Sequence, residues 1–318
     1  MGKTQPGCNE IHSKMNVIET NNLSRRYGRA DALHGLNLSV PAGSIFAFIG
    51  PNGAGKTTTI KVLMNLLEPS GGEARVLGVD SRRLGPRERE KIGYVSENQK
   101  LPDWMTVRQL LDYCRPFYPT WDRGLEAKLL KQFELPPDRK VRQLSRGMMM
   151  KAALLTSLPY RPKLLVLDEP FSGLDPLVRD EFVRGMLEVS QQSEWTIFIS
   201  SHDINEVEQL ADRVGLIDGG RMQFAEPIED LMGRFRRIEV ILGNAEPELL
   251  SPPEGWLELE RMGSQVRFVD SRFSPDAFES YRSERFRDSE AIVSPMKLRE
   301  IFVTLAKSKR EPSPSGAS

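Results

Sequence analysis

The stretch Gly50-Pro51-Asn52-Gly53-Ala54-Gly55-Lys56-Thr57 decides the fold of this chain, because it completes the pattern G-x-x-x-x-G-K-[ST]. The apolar run Ile45–Ile49 comes directly before it, and Thr58-Thr59-Ile60-Lys61-Val62-Leu63 follows. A buried strand, a glycine-rich turn and a helix start in this order form the context in which the pattern binds phosphate. A turn that binds nothing would need all of these features to coincide by chance.

The chemistry of this turn, here named the P-loop (residues 50–57), follows from its residue types. Glycines let backbone N–H groups point at a polyphosphate, and the helix N-terminus adds partial positive charge. Lys56 can reach the β- and γ-phosphates, and the hydroxyl of Thr57 can bind Mg²⁺. We therefore expect the P-loop and Thr58 to bind a nucleoside triphosphate together with Mg²⁺.

A second motif places two acids at the end of an apolar run, in Leu164-Leu165-Val166-Leu167-Asp168-Glu169. Open α/β sheets bind ligands at the carboxyl ends of their strands. We expect Asp168 to hold Mg²⁺, directly or through water, and Glu169 to orient and polarise the attacking water. On its own the run could simply end in solvent, but downstream of a P-loop the catalytic interpretation is favoured.

Length and composition limit the possible classes of protein. With 318 residues the chain can form one large domain and a smaller one. Lys+Arg and Asp+Glu both number 44, so net charge does not favour nucleic acid as a partner. The two cysteines, Cys8 and Cys114, form no CxxC pair, which fits a reducing compartment. No apolar run reaches the roughly 18 residues of a membrane span, and we expect a cytoplasmic protein.

Strand-like and helix-like segments alternate from Val17 to about Phe224, which predicts an α/β domain with a largely parallel sheet over residues 16–235. The segment at about 98–160 contains no clear strand and predicts a helical subdomain inserted into that domain. The strands we expect are Ile45–Ile49, Leu164–Leu167, Thr196–Ser200 and, more weakly, Lys91–Val95.

The ends of the chain differ in character from this α/β domain. Residues 236–306 predict a small α+β domain, with strands near Arg237–Leu242, Trp256–Leu259 and Gln265–Val269. An amphipathic helix is predicted to open at Ser294-Pro295, with serine as cap and proline in the first turn. We expect residues 1–15 to be a flexible leader and the Pro/Ser-rich residues 307–318 to be a disordered tail.

The order and spacing of the motifs resemble the nucleotide-binding subunit of ABC (ATP-binding cassette) transporters, over about Val17–Phe224. Leu144-Ser145-Arg146-Gly147-Met148 stands where that family has its LSGGQ signature, just before an apolar helix. The resemblance implies that Ser145 and Gly147 bind the γ-phosphate of ATP held by a partner subunit. Arg146 and Met148 depart from the family pattern. Arg146 brings a cation near the polyphosphate, and Met148 lacks the side-chain amide of the glutamine that the family has at this position.

Three further positions match the family. Ser172-Gly173-Leu174-Asp175 resembles the D-loop, which implies that Asp175 helps the two ATP sites communicate. His202 resembles the switch histidine that contacts the γ-phosphate. Tyr27 stands where the family stacks an aromatic ring on adenine, although packing of Tyr27 in the core is an alternative.

The Q-loop is the clearest departure from the family. Glu97 follows Tyr94-Val95-Ser96 at the position where most members have glutamine. A carboxylate can still bind Mg²⁺ or a bridging water, but it cannot donate a hydrogen bond. Gln99 could take this role only if the loop shifted by two residues. Glu97 together with the Ser-Arg-Gly-Met signature resembles a bacterial export-type branch whose membrane subunits are separate chains.

The resemblance implies an ATP-hydrolysing motor subunit at the inner face of the cell membrane. It would form a homodimer or heterodimer around two Mg·ATP and drive a transmembrane permease subunit on a separate chain. The alternatives are a soluble ABC ATPase, for example in cluster assembly, and a scaffold that no longer hydrolyses ATP. Leu101–Tyr118 is the expected docking surface, and its aromatic and apolar side chains are either anchors or the core of the insertion: Trp104, Met105, Phe117 and Tyr118.

Overall fold

The computed structural model describes residues 15–191, 195–206, 208–242, 252–286 and 289–308. The predicted leader and tail therefore lie outside the described residues, except for Met15, Lys307 and Ser308. Lys307 and Ser308 belong to a helix and not to a tail, which corrects the predicted start of that tail.

The elements of the described residues follow in chain order. The strands are β1 (Asn16–Tyr27), β2 (Ala30–Pro41), β3 (Ile45–Ile49), β4 (Gly71–Val76), β5 (Val79–Asp80), β6 (Ile92–Ser96), β7 (Leu164–Asp168), β8 (Thr196–Ser201), β9 (Arg213–Asp218), β10 (Arg221–Pro227), β11 (Arg236–Ile241), β12 (Trp256–Met262), β13 (Gln265–Asp270) and β14 (Glu290–Pro295). The helices are α1 (Lys56–Leu63), α2 (Pro86–Arg89), α3 (Val107–Cys114), α4 (Arg123–Gln132), α5 (Arg146–Ser157), α6 (Pro176–Gln191), α7 (Ile228–Arg234), α8 (Pro275–Arg285) and α9 (Leu298–Ser308).

Six strands of the described chain form the central sheet, in the order β10-β9-β3-β8-β7-β6. The pairs β3–β8, β8–β7 and β7–β6 are parallel, and the four strands predicted from the sequence are confirmed here. Asp168 pairs with Ser200 on one side and with Ser96 on the other. Because parallel strands end at the same edge, the P-loop after β3 and the acids after β7 lie at one edge of the sheet.

A second sheet, in the order β2-β1-β4-β5, is antiparallel and was not predicted from the sequence. Residues 30–41 show the alternation typical of a half-buried strand, since Leu36, Leu38 and Val40 are buried while Asn37 and Ser39 are exposed. One apolar core joins this sheet, α1 and the parallel sheet. Its members include Ile18, Leu36, Phe46, Ile60, Val166 and Phe198.

Helices α3, α4 and α5 lie between β6 and β7 along the chain, in the stretch predicted to be a helical insertion. Prolines follow the ends of two of them, since Pro116 comes two residues after α3 and Pro136 four residues after α4. Cys114 packs against a small cluster of Met105, Leu110 and Val141. Burial raises the pKa of the Cys114 thiol, which fits the interpretation of this residue as core rather than nucleophile.

The chain divides into two compact units. One contains the residues up to His202 together with Gly215–Ala225, and the other contains Asp203–Val214 and the residues from Glu226 onward. The chain passes into the second unit at Glu226, ten residues before the predicted domain boundary between residues 235 and 236. That boundary stays a prediction. In the second unit four antiparallel strands have the order β12-β13-β11-β14. The ring of Trp256 stacks on Phe268 with 3.6 Å between centroids.

The last helix begins three residues later than predicted. Ser294 and Pro295 do not cap a helix; they end β14 and pair with Arg237 and Arg236 of β11. The helix α9 starts at Leu298, and the Lys297 N–H donates to Glu300 Oε2 at 3.1 Å. The local signal for a helix start was overridden because β14 pairs with β11 along its whole length, from Glu290 opposite Ile241 to Pro295 opposite Arg236.

The core of the first unit generates a stability prediction. Phe198 is fully buried, with its ring centroid 5.8 Å from Phe46 and 5.3 Å from Phe48. The Phe198→Ala change removes a large buried ring and leaves a cavity, so we expect the free energy of unfolding to fall by about 3–5 kcal/mol. Urea denaturation followed by circular dichroism measures this. The control is Leu66→Ala at a half-exposed position, for which a change within about 0.5 kcal/mol is expected; equal effects of the two changes would contradict the prediction.

Candidate nucleotide-binding site

The backbone of the P-loop requires glycine at particular positions. Gly53 and Gly55 have φ angles of +83° and +108°, which are unfavourable for residues that have a Cβ. Gly55 is also the residue before α1, and no side chain caps that helix. A Cβ at Gly50 would collide with the carbonyl oxygen of Ile217. The turn can therefore lie against the neighbouring backbone and present its N–H groups at the helix N-terminus.

Lys56 is buried inside this turn and is only 5% exposed. Its Nζ donates to the carbonyl oxygens of Gly50 at 2.6 Å and Pro51 at 3.2 Å. The same atom lies 3.1 Å from Glu169 Oε1, which joins the P-loop to the end of β7. These three oxygens match the three donors of the ammonium, so a phosphate bound in the turn would take the place of one of them as acceptor.

Asp168 lies at the end of β7 and is buried. Its Oδ1 accepts hydrogen bonds from Ser200 Oγ at 2.7 Å and Thr57 Oγ1 at 3.2 Å. Burial raises the pKa of Asp168, and these two hydroxyl groups act in the opposite direction. Ser200 was not among the residues predicted for the site. A serine pair at the end of the apolar run 196–201 was the one sequence signal that could have identified it.

Glu169 holds its carboxylate between two other predicted catalytic residues. Oε1 faces Lys56, and Oε2 lies 2.8 Å from His202 Nδ1. The backbone of Glu169 has φ +52°, a left-handed conformation that is uncommon for residues other than glycine. Its N–H donates to the Ser200 carbonyl at 3.2 Å and to Ser200 Oγ at 3.1 Å. The structure thus brings together Lys56, Glu169 and His202, as the sequence predicted.

A small cleft of about 90 Å³ opens beside these residues. Glu97 lines it, whereas the side chain of Gln99 turns back so that its Oε1 accepts from the Ser96 N–H at 3.4 Å. Glu97 is therefore the Q-loop residue placed at the cleft, and the shifted register that Gln99 would need is not observed. The residues that line the cleft are Thr57, Lys61, Tyr94, Ser96, Glu97, Asn98, Asp168 and Glu169.

The donor atoms at the cleft suit Mg²⁺. Across the described residues, no group of three or more His, Cys, Asp and Glu side chains is arranged as a metal cage. Mg²⁺ does not need one, because in nucleotide sites it is held by one or two carboxylates, substrate phosphates and water. The hydroxyl of Thr57 and the carboxylate of Asp168, already 3.2 Å apart, supply such a partial set of oxygen ligands.

The signature and D-loop residues Ser145, Gly147 and Asp175 are not among the described residues that line this cleft, and each has a role in the local structure. Ser145 caps α5, since its Oγ accepts from the Met148 N–H at 3.2 Å. A Cβ at Gly147 would lie 2.6 Å from Val178 Cγ1, so glycine allows α5 and α6 to approach closely. Asp175 Oδ1 accepts from the Val178 N–H at 3.0 Å in the first turn of α6.

Tyr27 lies at the end of β1 with 46% of its surface exposed. The alternative that it packs in the core is therefore wrong. The guanidinium carbon of Arg25 lies 4.8 Å from the centre of its ring, a cation–π contact. The ring is accessible at the surface, as stacking on a base would require.

Comparisons with known proteins agree on one family. A family model for ABC transporters matches residues 33–172. An uncharacterised ABC transporter ATP-binding protein of Synechocystis sp. is 31% identical over 250 residues, or 74% of this chain and 70% of the relative. The bacitracin transport ATP-binding protein of Bacillus licheniformis is 33% identical over 70% of this chain and 73% of its own length.

Solved structures give the same result for the fold. The ATP-binding subunit of an ABC transporter superposes with a TM-score of 0.62 and 27% identity, covering 68% of this chain and 92% of that subunit. The chain belongs to the ATP-binding proteins of ABC transporters, whose cassettes are ATPases coupled to transport. Across its described part, no helix is both long and apolar enough to cross a membrane.

The position of Lys56 generates a prediction for nucleotide binding. Charge-assisted hydrogen bonds contribute about 1.5–3 kcal/mol. We therefore expect Lys56→Ala to weaken ATP binding by about ten- to hundredfold. Binding of a fluorescent ATP analogue to the full chain measures this. The control is Lys131→Ala, the same change on the exposed face of α4, which should leave the dissociation constant unchanged. Near-native affinity of the Lys56 variant would contradict the proposed phosphate contact.

Proposed function

We propose that this chain is the ATP-hydrolysing motor subunit of an export-type transporter, in which Glu169 is the catalytic base. One observation carries the proposal: the Glu169 carboxylate lies between Lys56 Nζ at 3.1 Å and His202 Nδ1 at 2.8 Å, directly after the strand that ends beside the P-loop. A base, a phosphate-binding cation and a phosphate cradle are thus held within one site.

Binding would depend mainly on the P-loop. Its backbone N–H groups and Lys56 surround the β- and γ-phosphates, where negative charge is greatest. Bound Mg²⁺ would neutralise charge on these phosphates, and Thr57, Asp168 and Glu97 are the residues that would hold it. Tyr27 would stack on the base, with its exposed ring as the surface for that contact.

Hydrolysis requires a water molecule aligned with the γ-phosphate. Glu169 accepts a proton from that water, and His202 keeps the carboxylate oriented through its hydrogen bond to Oε2. The left-handed backbone of Glu169 restricts the positions that this carboxylate can reach. The side chain is only 12% exposed, so bulk water competes little for its hydrogen bonds.

We further propose that two cassettes, identical or different, pair around two ATP molecules. Ser145 and Gly147 lie at the N-terminus of α5, which favours an anion, yet neither lines the cleft of its own chain. A role in phosphate binding therefore requires the nucleotide of a second cassette. Asp175, at the start of α6, would belong to the same interface between subunits.

A membrane partner would dock on the helical insertion. Met105 is buried and Tyr118 stacks on Tyr160 at 3.8 Å, so these two predicted anchors belong to the core. Trp104 and Phe117 are exposed by 63% and 61%. Tyr113, which was not predicted, is 55% exposed and its ring centre lies 5.6 Å from that of Phe117. Exposed aromatic side chains of this kind are typical anchors of protein interfaces.

The direction of transport rests on the resemblance of Glu97 and the Ser-Arg-Gly-Met signature to export-type cassettes. The cargo would be selected by the separate transmembrane subunit, at the inner face of the membrane where this chain docks.

The assigned base generates a prediction for catalysis. Glu169→Gln keeps the shape of the side chain but removes its ability to accept a proton. General bases contribute about 10²- to 10⁴-fold, so we expect ATP turnover to fall by that factor while ATP binding persists. A phosphate-release assay and gel filtration with ATP test this, and the variant should accumulate as a dimer. Normal turnover by this variant would show that Glu169 is not the base.

The docking surface generates a second prediction. Phe117→Ser removes a large exposed ring, and we expect less membrane protein to co-purify with the tagged chain from detergent-solubilised membranes. Leu66→Ser, also at an exposed apolar position in the first unit, is the matched control and should retain the partner. If the unmodified chain hydrolyses ATP but retains no membrane protein, the soluble alternative, such as a cluster-assembly ATPase, is favoured instead.

A further inference from the structure

Two of the three positions at which this chain departs from its family in the Q-loop and the signature, Glu97 and Arg146, lie in direct contact. The guanidinium Nη2 of Arg146 forms an ion pair and hydrogen bond with Glu97 Oε1, although 49 residues separate the two along the chain. Glu97 stands where the family usually has glutamine, and Arg146 stands at the first glycine of LSGGQ. The unusual anion and the unusual cation are therefore partners.

The D-loop takes part in the same contact. Ser172 Oγ donates to Glu97 Oε1 at 2.8 Å, so this oxygen accepts from both residues. The guanidinium of Arg146 also packs against Gly173, where a Cβ would collide with it. Gly173 has φ +66°, and glycine there satisfies both the backbone and the close approach. Three segments thus meet at one carboxylate: the end of β6, the start of α5 and the turn before α6.

Electrostatics explains why Glu97 needs such a partner. The cleft already contains the carboxylates of Asp168 and Glu169, and a triphosphate adds further negative charge. A glutamine in place of Glu97 would bring no charge, whereas the glutamate brings a third anion into a cleft of about 90 Å³. Arg146 offsets that charge and, through its planar guanidinium, also restricts the orientation of the carboxylate.

We infer that Arg146 is a positioning residue for Glu97, and that the two act as one unit in binding Mg·ATP. The cation holds the carboxylate at the cleft and offsets its repulsion of the nucleotide. The inference rests on the proposed function, because it takes Glu97 to face Mg·ATP. It adds that α5, which carries the signature residues at its start, contributes to Mg²⁺ binding in the site of its own chain. It also adds that the effect of a change at Glu97 depends on the residue at position 146, and the reverse.

A double-mutant cycle on the full chain tests this. The four proteins are the unmodified chain, Glu97→Gln, Arg146→Gly and the double variant, which restores the family residue at both positions. The probe is a fluorescent ATP analogue, titrated with Mg²⁺ at fixed nucleotide. We expect each single variant to need about tenfold more Mg²⁺ for half-maximal binding, and the double variant to lie within about threefold of the unmodified chain. Arg146→Lys should recover part of the loss, since it keeps the charge but not the planar geometry.

Two controls separate positioning from a general effect on the fold. Arg146 is 51% exposed, and ion pairs this exposed contribute little to stability, so all four proteins should unfold within about 3 °C of one another. Arg161→Gly breaks another ion pair of an equally exposed arginine, with Asp122, and should leave the Mg²⁺ titration unchanged.

The outcomes distinguish the inference from the function on which it rests. If the unmodified chain binds the analogue but the single effects multiply in the double variant, or Arg146→Gly has no effect, the inference is wrong and the proposed function stands. If the unmodified chain binds no nucleotide, the proposed function is overturned and the inference with it.

Discussion

The carboxylate of Asp168 is the point on which the site depends. One of its oxygens accepts hydrogen bonds from Thr57, at the start of α1, and from Ser200, at the end of β8. This is possible because β7 and β8 are parallel and in a register that pairs Asp168 with Ser200. Each of the three residues carries a functional neighbour along the chain: Lys56 precedes Thr57, Glu169 follows Asp168, and His202 lies two residues after Ser200. The groups proposed to be catalytic are thus positioned by this network, which Glu169 joins through its N–H, a donor to Ser200 Oγ at 3.1 Å.

Backbone constraints hold these groups more tightly than side-chain packing alone could. Glu169 has a left-handed backbone, which costs a residue with a Cβ about 1–2 kcal/mol. Such a conformation persists where the surrounding structure imposes it, and it is found preferentially at functional sites. The P-loop has a different constraint, which is lack of space. A Cβ at Gly50 would collide with the backbone carbonyl of Ile217, so only glycine fits there. These two constraints restrict the positions that the Glu169 carboxylate and the P-loop can take relative to each other.

The ion pair between Glu97 and Arg146 shows that the departures of the Q-loop and of the signature from the family pattern have to be interpreted together. Taken separately, each substitution suggests a weakened motif: a Q-loop that cannot donate a hydrogen bond and a signature with a bulky cation. Taken together, they form an ion pair that Ser172 joins through Glu97 Oε1. The two departures are parts of one contact, because the two motifs meet in the fold.

What the sequence determined by itself was local. The P-loop, the acids after β7 and the central strands were predicted because each depends on residues next to one another and on the apolar runs beside them. The tertiary structure alone decided that Ser200 holds Asp168, that Arg146 pairs with Glu97 and that residues 16–41 form an antiparallel pair of strands. It also moved the start of α9 to Leu298, because pairing with β11 claimed Ser294 and Pro295. The two side-chain contacts join groups that lie far apart along the chain, 32 residues for Ser200 and Asp168 and 49 for Arg146 and Glu97, and local patterns carry no information about such partners.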